Sequence, residues 1–433
     1  MAEIIEPRLL KGFRDYGPQE QAARQAMFAK IQGVFERFGF LPMSTPALEY
    51  KEILMGKYGE DEKLIYSFKD NGGRDVAMRY DLTVPLARYV AQNRGQLTLP
   101  FKRYQIAPVW RADNPQKGRL REFYQCDIDA VGGPSPVSDA EVIVCMCKAV
   151  EAVGITNYQL RLNDRSIFDL LSSLFLAAGA SVDEGKEVMR ALDKVGKIGK
   201  MGAVKILEEK NVSEGAIKQA QMLMDLGEGE QALANIEQNL SKDSWAVANL
   251  RTLLALVKAQ GVAEKNIVFD PLIMRGLDYY TGVVFEIILP DKPEFGSIMG
   301  GGRYDNLVDQ FSDQSLPAVG GSIGIDRLYD AMVDQGLVEA EGLVKALVVN
   351  LDEQLMEDYV KLVTGLRAAG INSEMYYQPV KLDKQFKYAE SKGIEYAVIM
   401  GPDEKAKGAA QLKNLKTREQ AEVPLSELAG KLK

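Results

Sequence analysis

The chain has 433 residues, 46% hydrophobic and 26% charged, with 61 acidic against 53 basic side chains and a net charge of −8. Length and ordinary Gly and Pro content predict two or three folded domains and exclude a collagenous, low-complexity or largely disordered chain. The complete absence of histidine excludes Ser-His-Asp hydrolysis, Cys-His proteolysis, His-ligated zinc or haem, and any imidazole base.

Residues 19–38 are expected to form the first helix. Met27, Ile31, Val34, Phe35 and Phe38 recur at three- and four-residue spacing between Pro18 and Gly39. Between 75 and 132 the pattern changes to short β-branched and aromatic segments. Residues 101–112 and 119–131, separated by the polar loop 113–118, predict a long antiparallel hairpin. Alternation places Arg121, Phe123, Gln125, Asp127 and Asp129 on one face of its return strand. Such a row of polar groups is poor core and good pocket. Cys145 and Cys147 sit one residue apart in the apolar stretch 142–150 and read as buried. With Cys126 they complete the cysteine inventory, so neither a disulfide framework nor a structural zinc site is expected, and a reducing compartment is.

Residues 180–258 are nearly all helix formers, with Lys194, Lys197, Lys200 and Lys205 closely spaced. They read as a helical insertion between two strand-rich regions, the second running from Ile267 to about Ile325. Beyond Gly336 the pattern restarts: a strand at 346–350, a helix over 353–369, a strand at 372–377, a helix from about 381 and a strand at 396–400. That alternation predicts an α/β unit with a mostly parallel sheet. Glu3, Glu6, Arg8, Lys11 and Asp15 leave no signal-peptide core near the start, and no run approaches the roughly 18 apolar residues of a membrane span. A cytoplasmic protein that crosses no membrane is expected.

Four clusters carry possible chemistry. The segment 296–304, GSIMGGGRY, is neither a P-loop nor a dinucleotide-binding fingerprint, and a lone Gly cluster more often marks close packing than a phosphate cradle. Arg111, Lys117, Arg119 and Arg121 surround the hairpin turn; planar guanidinium forks suit multivalent phosphate, and a solvated hairpin with surface ion pairs is the plainer alternative. Residues 275–281, RGLDYYT, offer either an aromatic-packed salt bridge or a carboxylate clamp with two hydroxyls. Residues 320–328, GGSIGIDRL, read as a strand entering a helix with Arg327 near its start.

Together these segments resemble a known family. Residues 111–125, RADNPQKGRLREFYQ, resemble motif 2 of the class II aminoacyl-tRNA synthetases in its histidyl form. RGLDYYTGVVFE at 275–286 and GGGRYDNLV at 300–308 resemble the two histidine-binding signatures of the histidyl-tRNA synthetases, and GGSIGIDRL resembles class II motif 3. FGFLPMSTPALE at 38–49 is similar to motif 1, with Pro46 where the family has its interface proline. Residues 398–420, VIMGPDEKAKGAAQLKNLKTREQ, are similar to the family's anticodon-binding domain.

The resemblance implies an α+β fold: a class II core at 1–335 with a central antiparallel sheet flanked by helices, the insertion at 180–258 near the tRNA acceptor arm, and an α/β anticodon-binding domain at 342–433. It implies ATP-dependent activation of histidine and its transfer to tRNA(His), by a homodimer. Catalytic roles fall to Arg275, Arg111 and Arg327. Arg111 would bind the α-phosphate of ATP and Arg327 its γ-phosphate, with Arg119 and Glu122 completing the ATP site and Glu122 near the adenine. Arg275 would lie between the substrate carboxylate and the α-phosphate. Asp81, Thr83 and Gln125 would hold the α-ammonium, Asp129 and Tyr280 would read the imidazole, and Tyr279 would line the same pocket. Asp81, where many bacterial members have Glu, and Phe13 and Tyr124, where many have Thr and His, depart from the family pattern. Mg²⁺ would accompany the ATP phosphates, through carboxylates the sequence does not single out. The rival reading is a catalytically inactive synthetase-like regulator of histidine biosynthesis, which usually lacks the full arginine set and the C-terminal unit. For tRNA, Lys405, Lys407, Lys413, Lys416 and Arg418 form a stripe with no acidic residue between 406 and 418, suited to phosphate or simply a solvated face.

Overall fold

The computed structural model describes residues 5–56, 59–115, 119–167, 169, 181–192, 194–239, 245–273, 280–311, 315–338 and 342–433. It divides into two compact units, one of residues 1–14 and 28–337 and one of residues 15–27 and 338–433. No helix among the described residues is long and apolar enough to cross a membrane.

The first unit is built on an eight-stranded sheet, in the order β1-β5-β6-β11-β10-β9-β7-β8. The strands are β1 (Leu41–Pro42), β5 (Phe101–Trp110), β6 (Glu122–Val131), β7 (Gln159–Asp164), β8 (Ile267–Phe269), β9 (Val283–Ile288), β10 (Ser297–Arg303) and β11 (Ala318–Gly324). Only the outer pairs β1–β5 and β7–β8 are parallel; the central ladders are antiparallel. β2 (Leu48–Tyr50), β3 (Ser67–Lys69) and β4 (Asp75–Met78) make a separate three-stranded antiparallel sheet.

The expected hairpin is β5–β6, paired from Phe101↔Val131 to Trp110↔Glu122. The first helix runs Pro18–Arg37, with Met27, Ile31, Val34 and Phe35 buried, and ends at Gly39, whose φ of +77° is the left-handed conformation glycine adopts without a Cβ penalty. Helix Val137–Ala152 buries Cys145 and Cys147 completely. The described residues between 182 and 259 form the helices Val182–Leu192, Val195–Glu209, which is broken at Gly199, Glu214–Met224, Gly229–Asn239 and Trp245–Ala259.

In the second unit β12 (Ala346–Val348), β13 (Ser373–Met375), β14 (Tyr396–Ile399), β15 (Ala409–Asn414) and β16 (Gln420–Pro424) form one sheet, ordered β13-β12-β14-β15-β16. Helices Met356–Ala368 and Leu382–Ser391 connect its first three strands, which are parallel. The sheet is not mostly parallel: β15 and β16 add two antiparallel pairs. GAAQLKNLK is poor in β-branched and aromatic residues, so β15 gives little strand signal.

Candidate functional site

Residues directly opposed in an antiparallel ladder share a face, so the register maps the site. Arg103, Gln105 and Ala107 of β5 oppose Asp129, Asp127 and Gln125 of β6. These in turn oppose Gly320, Ser322 and Gly324 of β11, and Gly302 and Gly300 of β10 lie beyond. One face of the central sheet is therefore polar or bare of side chains. The alternate positions Cys126, Ile128, Val319, Ile323 and Phe285 are apolar and buried. Helix Val137–Ala152 packs on that other face, where Met146 approaches Gly321.

The polar face holds charge away from water. Arg103 has no exposed surface, and Asp127 and Asp129 are each 2% exposed. Arg103 Nη2 lies 2.6 Å from Asp129 Oδ2 but is not aligned on it as a hydrogen bond; it donates instead to the Leu82 carbonyl at 3.1 Å. The Tyr304 hydroxyl donates to Asp129 Oδ1. Burial raises the Asp129 carboxyl pKa, opposed by Arg103 and Tyr304. Burial likewise pushes Asp127 up to about 7 against the pull of Arg103, with Asp129 and Asp81 adding repulsion and a Ser322 hydrogen bond lowering it. Gln125 Nε2 donates to Ser322 Oγ at 2.7 Å.

Glycine makes the floor. A Cβ on Gly320 would stand 2.1 Å from Asp129 Oδ1, and one on Gly302 would stand 2.6 Å from the Tyr280 ring. Gly302 and Gly320 are paired across β10 and β11, so Tyr280 and Asp129 border the same bare patch. In the Gly cluster of β10, Gly301 and Gly302 are closely packed.

The hairpin end is more open. Arg111 Nε donates to the Tyr80 carbonyl at 2.9 Å, and its guanidinium lies 4.2 Å from the Tyr80 ring centroid and 5.2 Å from that of Phe123. It meets no carboxylate among the described residues. Arg119 is 52% exposed and paired with Asp113 at 2.8 Å, while Arg121 donates to the carbonyls of Asp113 and Lys11. Glu122 opens β6, opposite Trp110. Helix Ile325–Asp334 begins where β11 leaves Gln125: Asp326 accepts from the Tyr124 backbone N–H at 3.0 Å, and Arg327 Nη1 donates to the Ser297 carbonyl.

Gln125, Asp129 and Tyr280 thus border one face, with Arg111 toward its hairpin end, while alternation puts Glu122, opposite Trp110, on the other face of β6. Asp81 lies close enough for its charge to act on Asp127 and Asp129, but its Oδ1 is engaged as a helix cap, accepting from the backbone N–H groups of Thr83 and Val84 at 3.1 and 3.0 Å. Thr83 is the first residue of that helix, Thr83–Asn93. Arg275, Tyr279 and Lys117 lie outside the described residues. Arg103, Tyr304 and Ser322 escaped the sequence reading, and Asp127 was placed on the face without a role. No sequence pattern singles out Arg103; its register with Asp129 does. No group of three or more His, Cys, Asp or Glu side chains that could hold a metal ion occurs among the described residues.

In comparison with known proteins, residues 12–328 match the histidyl-tRNA synthetase family and 345–433 the anticodon binding domain family. A histidine–tRNA ligase of Rhodopirellula baltica is 43% identical over 98% of this chain and 96% of its own length. One from Treponema denticola is 40% identical over 100% and 99%. The crystal structure of histidyl-tRNA synthetase from Nostoc sp. PCC 7120 superposes with a TM-score of 0.86 at 33% identity, covering 99% of both chains.

Proposed function

We propose a residue-level mechanism for a chain that belongs to the histidyl-tRNA synthetase family and therefore activates histidine with ATP and transfers the histidyl group to tRNA(His). A carboxylate oxygen of histidine attacks the α-phosphorus and pyrophosphate leaves. The nucleophile is already anionic, so the step needs alignment and charge neutralisation but no general base. A chain without histidine can supply both.

Arg111 binds the α-phosphate. Its support is a guanidinium aimed by one carbonyl, flanked by two rings and not neutralised by a carboxylate among the described residues. Arg327 takes the γ-phosphate by turning from the Ser297 carbonyl, Arg119 leaves Asp113 for ATP, and Glu122 sits at the adenine. Arg275 bridges the substrate carboxylate and the α-phosphate. Asp81, Thr83 and Gln125 hold the ammonium. Asp129 and Tyr280 read the imidazole beside Tyr279; an ionised Asp129 only accepts while Tyr280 can donate, which selects the neutral ring. The tRNA ribose hydroxyl then attacks the adenylate carbonyl and AMP is released.

The described residues include no group of three or more carboxylates that could hold a metal ion, and Asp129 and Asp81 are already engaged by Arg103, Tyr304 and a helix cap. The Mg²⁺ implied by the family would arrive on the phosphates of ATP. The core at 1–335 performs the chemistry, the helices at 180–258 approach the acceptor arm, and 342–433 binds the anticodon. The chain acts in the cytoplasm as a homodimer formed through the motif 1 segment.

The observation that carries this reading is the order of groups along β6. A guanidinium-rich turn lies at one end and buried carboxylates at the other, with about 14 Å of strand between Gln125 and Asp129. That sequence suits a ligand whose phosphates, ammonium and ring follow one another. Histidine-dependent ATP–pyrophosphate exchange tests it: the full chain should catalyse exchange with histidine and with no other amino acid. Absence of exchange in a folded protein would favour the regulator.

A further inference from the structure

Three acceptor atoms on the polar face, Gln125 Oε1, Asp127 Oδ1 and Asp129 Oδ2, are buried and have no hydrogen-bond partner among the described residues; the last lies against the Arg103 guanidinium, and among the described residues the first two lie against no cation. A buried acceptor without a donor is costly, and such atoms are normally satisfied by protein, water or ligand. Gln125 and Asp127 are neighbours on one face of β6, linked through Ser322. Its hydroxyl takes the Gln125 amide N–H at 2.7 Å and also hydrogen-bonds Asp127. The Gln125 nitrogen is thereby used, which leaves its oxygen for another donor. A neutral imidazole has one N–H and serves one acceptor, whereas an ammonium carries three N–H donors and a charge that complements a carboxylate.

We propose that Asp127 is a further histidine-binding residue, whose Oδ1 joins Gln125 Oε1 in accepting the α-ammonium of the amino acid. This rests on the reading of the face as the histidine pocket. It also meets a shortage there, because Asp81 has one oxygen committed to the cap of Thr83–Asn93. The charged groups acting on Asp127 are Arg103 from β5, Asp129 from its own strand, Asp81 ahead of the helix, and Arg79; β11 opposes it with Ser322 and glycines only. A carboxyl held up near 7 in this setting is drawn back to its ionised form by an arriving ammonium. Histidine binding near neutral pH therefore expels a proton that a ligand without the amine does not.

The test is calorimetry on the full chain with L-histidine and with 3-(imidazol-4-yl)propanoate, which keeps ring and carboxylate but lacks the amine, in buffers of different ionisation enthalpy. Asp127→Asn should weaken histidine by roughly 10- to 100-fold, the range for losing a hydrogen bond to a charged group, and leave the des-amino ligand within about twofold. In the unaltered protein, once the ring proton that each free ligand gives up on binding as neutral imidazole is subtracted, histidine should release more protons than the des-amino ligand, a comparison that stands even where the variant fails to fold. Equal weakening of both ligands would make Asp127 merely structural. No weakening of either, or equal proton release in the unaltered protein, overturns the proposal. Gln125→Ala separates the two levels: if it weakens histidine while Asp127→Asn does not, the pocket reading stands and the Asp127 role falls. If neither variant nor loss of the amine alters affinity, the pocket itself is misplaced.

Discussion

The two large sheets treat polarity in opposite ways. In the five-stranded sheet both faces are apolar: Ala346, Val348 and Val398 enter one core with Tyr359, Val363 and Leu412, while Leu347, Val349 and Ala397 enter another with Ala389 and Leu415. The polar side chains buried between 342 and 433, Asn350, Ser373 and Gln385, are neutral. The eight-stranded sheet buries charge on both faces: Arg303 with Asp139 on the side of helix Val137–Ala152, and Arg103, Asp127 and Asp129, with glycines between strands, on the other. Buried charge is rarely the more stable solution for a fold. What sets the face of Asp127 apart is a buried carboxylate oxygen left without a hydrogen-bond partner among the described residues, where Arg303 on the other face is paired with Asp139.

Arg103 offers the strongest way to break that contrast. Arg103→Met leaves two buried carboxylates facing each other without their cation, and should destabilise the first unit by about 3 to 5 kcal/mol in urea unfolding. Lys405→Met in the second unit removes the partner of Asp358 from a pair that is 49% and 25% exposed, and should cost less than about 1 kcal/mol. Comparable losses would mean that the Arg103 cluster is ordinary surface-grade electrostatics.

Much of this frame was legible. Alternating polarity exposed the β5–β6 hairpin and the Gln125, Asp127 and Asp129 row, because period-2 patterning survives without tertiary context. Arg103 was not legible for the same reason. Set in FKRYQIAPVW, it reads as a strand charge turned toward solvent, and only the register Arg103↔Asp129 shows that it is enclosed. Tyr304 looked like the tail of a Gly cluster; its bond to Asp129 spans 175 residues. The lysine stripe was legible as charge but not as pairing, since Lys405, Lys407 and Arg418 find Asp358, Glu422 and Glu390 on separated segments.

Arg111 sharpens the contrast on the activity side. If it neutralises phosphate charge in the transition state, Arg111→Ala should lower the rate of adenylate formation by about 3 kcal/mol, the scale for losing one preorganised donor, and leave urea stability nearly unchanged. Single-turnover kinetics with limiting ATP measures this. A variant that loses stability and keeps its rate would place Arg111 with the packing residues.

Acid titration separates the sheets again. Asp127 and Asp129 have folded pKa values above their unfolded ones, so the folded state binds more protons in between. Their contribution to stability is present in acid and declines as pH rises above about 4, for Asp127 through about 7. Glu395 in the second unit, lowered chiefly by its hydrogen bond with Lys345, contributes above its unfolded pKa and loses that contribution as pH falls. Hydrogen exchange around β6 and β14 across this range should show opposite slopes, and Asp127→Asn should flatten only the first.

Glycine gives a smaller, two-sided effect. Gly320→Ala places a Cβ against Asp129 Oδ1 and should cost about 1 to 3 kcal/mol by overpacking. Gly365, on the exposed side of Met356–Ala368 with nothing within 4 Å of a new Cβ, should instead stabilise by about 0.4 to 1 kcal/mol on change to Ala. Thermal unfolding reads both, and the same sign for the two would contradict the idea that only the first sheet is closed around its backbone.

The smallest expected effect concerns the basic stripe, where pairing decides which lysines remain for tRNA. Lys405 is held by Asp358 at 2.7 Å and Lys407 by Glu422 at 2.8 Å, so a phosphate would have to displace a carboxylate at each, with little net release of counterions. Lys413 lies over the Phe386 ring, 4.8 Å from its centroid, and Lys416 is exposed on the turn between β15 and β16; neither forms an ion pair among the described residues. Counterion release scales with the number of phosphates neutralised, at about 0.7 to 0.9 in the slope of log K against log salt per contact. Lys416→Ala and Lys413→Ala should each lower that slope by nearly one contact, whereas Lys405→Ala and Lys407→Ala leave it almost unchanged. Filter binding of tRNA at several salt concentrations resolves the difference. An equal drop for all four would show that the carboxylate pairs give way to RNA and that the whole stripe forms the contact.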